Sequence, residues 1–149
     1  LSDLPPHQPL QSLFGTHPFT DLIGSTSLLD LFQIISEAHL LITNETSAVH
    51  LAALASTPTL CIAGGGHHGR FVPYPQGAHN SCNIHTIAKK LPCFSCDWNC
   101  TEPHPSTLSY PCISSISPDD VILELQAHFI NVAPKWTYLD SSSWIVMVW

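Results

Sequence analysis

The chain has 149 residues, one domain's worth of sequence, and its 44% hydrophobic content is enough for a packed core, which excludes a wholly disordered protein. Its formal charge is -7, with only Arg70, Lys89, Lys90 and Lys135 positive. Binding along DNA or RNA needs a basic face, so nucleic acid is excluded as a partner. A single diphosphate stays compatible, because backbone N–H groups at a helix start can hold one without many basic side chains.

Residues 1–20 contain Pro5, Pro6, Gly15 and Pro18 with no sustained period, and read as an irregular lead-in. Asp21 to Gly24 is expected to be a short strand. Ser25-Thr26-Ser27 then caps a helix whose apolar positions Leu28, Leu29, Leu31, Phe32, Ile34 and Ile35 carry it to about Ala38. His39 to Thr43 is an apolar run with polar bounds, a buried strand. Asn44-Glu45-Thr46-Ser47 opens a second helix that Pro58 ends. Thr59 to Ala63 is a second buried strand, stopped by Gly64-Gly65-Gly66. Short links in the order helix, strand, helix, strand predict an α/β fold, with a parallel sheet and helices on its faces.

Gly64 to Gln76 reads as loop, Asn83 to Ala88 as a further strand, and 91–112 as an irregular cysteine-rich loop. Ser117-Pro118-Asp119-Asp120 is a helix start with a Ser cap, Pro at the first position and acids in the first turn, and that helix runs to about Ile130. The main domain is therefore expected over 21–131. The tail over 132–149 has no clear pattern, though Trp144 to Trp149 suits a strand or a surface segment. The chain begins with Leu1 in a polar, proline-containing stretch, which fits a processed start or a fragment. No basic segment leads into an apolar run, and no run of about 20 apolar residues occurs, so neither a secretory signal nor a membrane span is expected. The expected setting is the cytoplasm, and the six cysteines then read as free thiols or metal ligands rather than disulfides.

The turn from Ile42 into Ala48 concentrates the chemistry. Ligands of open α/β sheets bind where strands end at their carboxyl edge. The first N–H groups of the next helix lack partners, and its dipole favours an anion. Thr46 and Ser47 add hydroxyls there, Glu45 is an acceptor for sugar or ribose hydroxyls, and His50 lies one turn on along the same face. The plain alternative is that Asn, Glu, Thr and Ser at a helix start are only caps.

The segment Asn44-Glu45-Thr46-Ser47-Ala48-Val49-His50-Leu51-Ala52-Ala53 resembles the Asn-Asp-Thr-Gly-Pro-x-His-x-Ala-Ala signature of glycosyltransferase family 9, which includes the lipopolysaccharide heptosyltransferases. Upstream, Gly24-Ser25-Thr26-Ser27-Leu28 is similar to the family's Gly-x-Thr-Ser-Leu helix start. Downstream, Pro58 to Gly66 is similar to its strand end. The resemblance implies a GT-B fold of two Rossmann-like domains, of which this chain would be the C-terminal, donor-binding half, incomplete. It implies that Glu45, Thr46, Ser47 and His50 face the phosphates and sugar of a nucleotide-diphosphate sugar, and that Thr26 sits near the nucleoside. The acceptor would be a cell-surface glycan or a glycolipid such as lipopolysaccharide, reached from the cytoplasm at the inner membrane. The catalytic base would lie in an N-terminal GT-B domain outside this sequence, so no catalytic residue is assigned, and no metal cofactor is required. Two departures bear on donor identity: Glu45 stands for the commoner Asp, and Ser47 for Gly.

Gly64 and Gly65, in a glycine-rich loop that lacks the Lys of a P-loop, and Arg70, the only arginine, complete the expected donor site. Their alternative is a flexible loop with an exposed Arg. His67 and His68 are neighbours that could bind metal or simply be solvated. Cys93, Cys96, Cys100 and Cys112 are a candidate tetrahedral zinc site, against packed thiols or disulfides. Asp119, Asp120 and Glu124 read as complements to a helix dipole. Trp98, Trp136, Trp144 and Trp149 suit packing better than sugar stacking. Two rival functions remain: a nucleotide-sugar epimerase of GT-B fold, and a non-catalytic zinc-binding module.

Overall fold

The computed structural model describes residues 20–75, 83–103, 109–129 and the backbone of 145–148. The lead-in over 1–19 and most of the tail, with Trp136 and Lys135, lie outside the described residues, as does Cys82.

Asp21 to Gly24 forms a turn instead of the expected strand. The Asp21 carboxylate accepts from the Ile23 N–H, Ser25 N–H donates to the Leu22 carbonyl, and Gly24 takes a positive φ of 72° that a strand does not allow. Helix α1 (Leu28–Glu37) follows. Ser27 and Asp30 close a reciprocal capping box, so the start coincides with the predicted Ser/Thr cap. Strand β1 (Leu40–Asn44) leads through Glu45 and the Thr46 cap into α2 (Ser47–Ala55). Ser56, left-handed at φ 60°, and Pro58 end that helix before β2 (Thr59–Ile62). Strand β3 (Ile84–Ile87), the single turn α3 (Pro111–Ser114), α4 (Pro118–Phe129) and β4 (Ile145–Val148) complete the described elements.

The four strands are parallel, in the order β3-β2-β1-β4. Four residues of the tail thus belong to the sheet, with Leu40 paired to Ile145 and Thr43 to Val148. Side chains alternate across the pleat. Leu40, Leu60 and Ile87 face α4 and pack on Leu125 and Phe129. Leu41 faces the other way, onto Ile35 of α1 and Ala48 and Ala52 of α2. Cys61, Ala63 and Val72 pack with Val49 on that same side. The domain is Rossmann-like, with helices on both faces of a parallel sheet, as the sequence predicts. Asn44 pairs with Ile62, and Ile62 with Ile87, so β1, β2 and β3 end level at one carboxyl edge. No described helix is long and apolar enough to cross a membrane.

Candidate functional site

The carboxyl edge collects most of the polar side chains singled out above. At the end of β1 the buried Thr43 hydroxyl bonds to the Asn44 carbonyl at 3.0 Å and approaches the Thr46 hydroxyl at 3.5 Å. Thr46 caps α2 through a long 3.4 Å bond from the Ala48 N–H. Ser47 is exposed at the first helical position, and no acid stands in the first turn. His50 is exposed one turn on, with Nδ1 hydrogen-bonded to the Tyr74 hydroxyl. Thr46, Ser47 and His50 therefore line one open helix start, and Thr26 sits half-buried just before the Ser27 cap.

Glu45 turns inward. Its Oε1 is buried with no hydrogen-bond partner, and burial raises its carboxyl above the usual carboxylate range, opposed by His67. The Cys61 thiol, also buried, is pushed up to about 12 by desolvation and by the neighbouring Glu45. Tyr74 is raised as well, by desolvation and then by Cys61. His68 is lowered by burial and by Lys90, and its Nδ1 too lacks a partner. Buried polar atoms are nearly always satisfied, so these unpaired atoms, like Thr86 Oγ1 in β3, leave room for a water or another polar group.

The end of β2 is built differently. Gly64, Gly65 and Gly66 are buried, and a Cβ on Gly64 would meet the Trp98 ring at 2.4 Å, one on Gly66 the same ring at 2.6 Å, and one on Gly65 the Phe94 ring at 3.0 Å. The Gly65 N–H donates to Cys112 Sγ, while Ser95 and Asp97 N–H groups donate to the Gly65 and Gly66 carbonyls. The glycines thus admit aromatic rings and the edge of the cysteine-rich loop. This gives Gly64 and Gly65 a packing reason in place of the expected close approach to a donor.

That loop holds Ser95, Asp97 and Trp98 at positive φ, a conformation non-glycine residues adopt sparingly. It aims Asp97 at His67 (2.6 Å from Nε2) and at Arg70 (3.3 Å). The Trp98 indole N–H donates to His67 Nδ1 at 3.1 Å, so the ring carries its proton on Nε2 for Asp97. Arg70, expected as a phosphate clamp, is exposed, paired to Asp97 and set over the Phe71 ring. Nothing in the local sequence announces that Asp97, Tyr74 and His67 gather at this edge. The glycine run was the available signal, since three consecutive glycines announce a close approach without naming what approaches.

The four cysteines do not gather around one point. Cys93 and Cys100 lie 3.8 Å apart at Sγ, but Cys112 is buried on the Gly65 N–H, which separates it from a tetrahedral set. The five described cysteines are free thiols. Cys100 is raised by desolvation and by its neighbours Cys93 and Cys96. Among the described residues, the three-residue group with converging ligand atoms is His85, Glu124 and His128 instead.

A parallel α/β sheet with its polar cluster at the carboxyl edge is the architecture of a Rossmann-like ligand-binding domain. Residues 8–100 match the model of glycosyltransferase family 9 (heptosyltransferase), and the chain belongs to that family. Sugar transfer is therefore the class of chemistry to which it is assigned. No curated protein and no solved structure matches the chain.

Proposed function

We propose that this chain supplies the donor-binding part of a GT-B glycosyltransferase, and that the open start of α2 takes the pyrophosphate of a nucleotide-diphosphate sugar. The observation that carries this reading is the difference between helix starts. At α1, Asp30 accepts from the Ser27 N–H at 2.9 Å and donates its own N–H to Ser27 Oγ; at α4, Asp120 and Ser117 do the same. A carboxylate already occupies both N-termini. At α2 the place of that acid is held by Val49; the Ala48 and Val49 N–H groups donate only over long bonds of 3.4 and 3.3 Å to the Thr46 hydroxyl and carbonyl, and with no carboxylate in the first turn the dipole suits an external anion.

In this reading Thr46 and Ser47 donate to phosphate oxygens. With Tyr74 donating to Nδ1, His50 carries its proton on Nε2 and gives it to the same anion. Glu45, one carboxylate oxygen already desolvated, accepts from a sugar hydroxyl. As the donor's glycosidic bond breaks, charge builds on the leaving diphosphate, and a preorganised helix start stabilises it without a bound metal. The base that deprotonates the acceptor hydroxyl comes from an N-terminal GT-B domain. The acceptor is a glycan or glycolipid of the cell surface, presented at the cytoplasmic side of the inner membrane.

Titrating ADP, GDP and UDP against the matching nucleosides tests the reading. A hydrogen bond to a charged group contributes about 1.5–3 kcal/mol, so His50→Ala and Thr46→Val are expected to weaken diphosphate binding roughly tenfold or more. Nucleoside binding should hardly change. Equal losses for both ligand sets would remove the phosphate role.

A further inference from the structure

β3 and α4 meet in a polar contact that the donor site does not use. His85, second residue of β3, faces α4 on the side of the sheet away from α2. Its Nε2 lies 2.7 Å from Glu124 Oε2, and His128 Nε2 lies 3.3 Å from the same oxygen. Glu124 and His128 are one helical turn apart. The two imidazoles stack with centroids 3.6 Å apart. All three ligating atoms lie within 4.8 Å of one another.

We propose that His85, Glu124 and His128 form a binding site for a zinc-type divalent transition-metal ion that staples α4 to β3. The donor chemistry selects the class of ion. Two imidazole nitrogens and one carboxylate suit zinc and its neighbours, whereas calcium and magnesium call for mostly oxygen ligands. The spacing is close to what a tetrahedral ion needs, provided the exposed His128 ring turns out of its stack on His85, because the in-plane lone pairs of stacked rings do not converge on one point. Metal–ligand bonds of about 2.0–2.1 Å place donor atoms roughly 3.3–3.4 Å apart along a tetrahedron's edge. The His128–Glu124 separation of 3.3 Å already has that value. The His85–Glu124 pair has to open from 2.7 Å by about 0.6 Å, within the reach of a Glu rotamer on a partly exposed helix face.

The setting agrees. His85 and Glu124 are half-buried, with Phe129 edge-on to His85 at 6.5 Å, while His128 is exposed. Three protein ligands backed by apolar packing leave a fourth position for water on the His128 side. The site lies toward the strand starts: along the β3–α4 contact, Lys89 and Asp120 pair at 2.7 Å nearer the carboxyl edge. The metal therefore acts on the docking of α4 and not on the donor, and the inference stands independently of the donor reading.

The test is Co2+ titration of the full chain, followed by the ion's visible spectrum and by thermal unfolding. It is run on the wild type and on a Cys93→Ser/Cys96→Ser/Cys100→Ser background that removes competing thiols. One equivalent should bind in both, with a nitrogen- and oxygen-ligated spectrum in the background lacking the thiols, and should raise Tm. His128→Ala, an exposed position whose loss leaves the core intact, should weaken binding by at least the 10- to 100-fold typical of losing even an outer-shell partner. Glu124→Gln should weaken it too. Absence of stoichiometric binding in the triple-serine background, or His128→Ala binding Co2+ as tightly as its parent, would overturn the proposal.

Discussion

The ends of β1 and β2 are neighbours at one sheet edge, and they meet opposite fates. Past Ile62, the chain runs into three buried glycines on which Trp98 and Phe94 rest, with backbone hydrogen bonds closing the seam. Past Asn44, it enters a helix start whose Ser47 and His50 are exposed, whose cap bond is long, and whose inward carboxylate has an unpartnered oxygen. The glycine run of the first end is closed by packing, although His68 just beyond it keeps an unpartnered Nδ1. The second end leaves a carboxylate oxygen unsatisfied beside an exposed helix start, an arrangement a fold tolerates where a ligand completes the set. The proposed donor site lies at the β1 end, and in that reading the β2 end is the wall beside it.

The largest effect that can break this contrast lies on the wall. Gly64→Ala places a methyl 2.4 Å from the Trp98 ring, closer than real Cβ atoms come, so the packed ring has to shift. Overpacking of this kind costs about 1–3 kcal/mol, and the expected loss is at the upper end. Ser47→Ala at the open end should stay within about 0.5 kcal/mol. Urea denaturation of both variants measures the difference. Adding Trp98→Ala to Gly64→Ala should make the pair distinctly less than additive, because the clash and the ring disappear together. Equal costs at the two positions would mean that the two strand ends are not built differently.

A smaller effect sharpens the comparison among helix starts. Ser27→Ala and Ser117→Ala each remove a full capping box, and each should cost about 1 kcal/mol. Thr46→Ala removes only a 3.4 Å bond, and should cost a few tenths of a kcal/mol, near the bottom of the cap range. Thermal unfolding ranks the three. A Thr46 loss matching the serines would make α2 an ordinarily capped helix and weaken the case for an anion there.

How much of this was legible in the sequence depends on how local the cause is. The caps at Ser27, Thr46 and Ser117, the strands β1 and β2, and the parallel order all follow from neighbouring residues, and the fold agrees with them. Asp21–Gly24 misled because a side-chain hydrogen bond and a left-handed glycine outweighed the apolar pair Leu22-Ile23. Trp144 to Trp149 suits a strand and β4 forms within it, but its place beside β1, like that of α3 on Gly65, depends on distant partners that no local period announces. The same holds for the edge: the glycine run was visible, but not that Trp98 fills it. Glu124, read as a complement to the α4 dipole, instead pairs with His85 across 39 residues of sequence, and only its i,i+4 spacing to His128 could be read locally.

The smallest effect probes the orphan carboxylate itself. In the fold, burial holds the Glu45 carboxyl above its ordinary 4.5, with His67 opposing. The unfolded chain therefore ionises Glu45 more readily than the folded one, and folding with the charge in place has a cost at neutral pH. That cost is fully present above the raised folded value, shrinks as pH falls through it, and is gone below about 4.5, where both states hold the proton. Glu45→Gln removes it. The variant should unfold at a slightly higher temperature than the wild type at pH 7, by less than either serine cap loss, and the gap should close by pH 4. Donor binding should move the opposite way, since an acceptor for a sugar hydroxyl is replaced by an amide. A gap that persists unchanged at pH 4 would trace the gain to packing, and the desolvated Glu45 carboxylate would then not be what sets the β1 end apart.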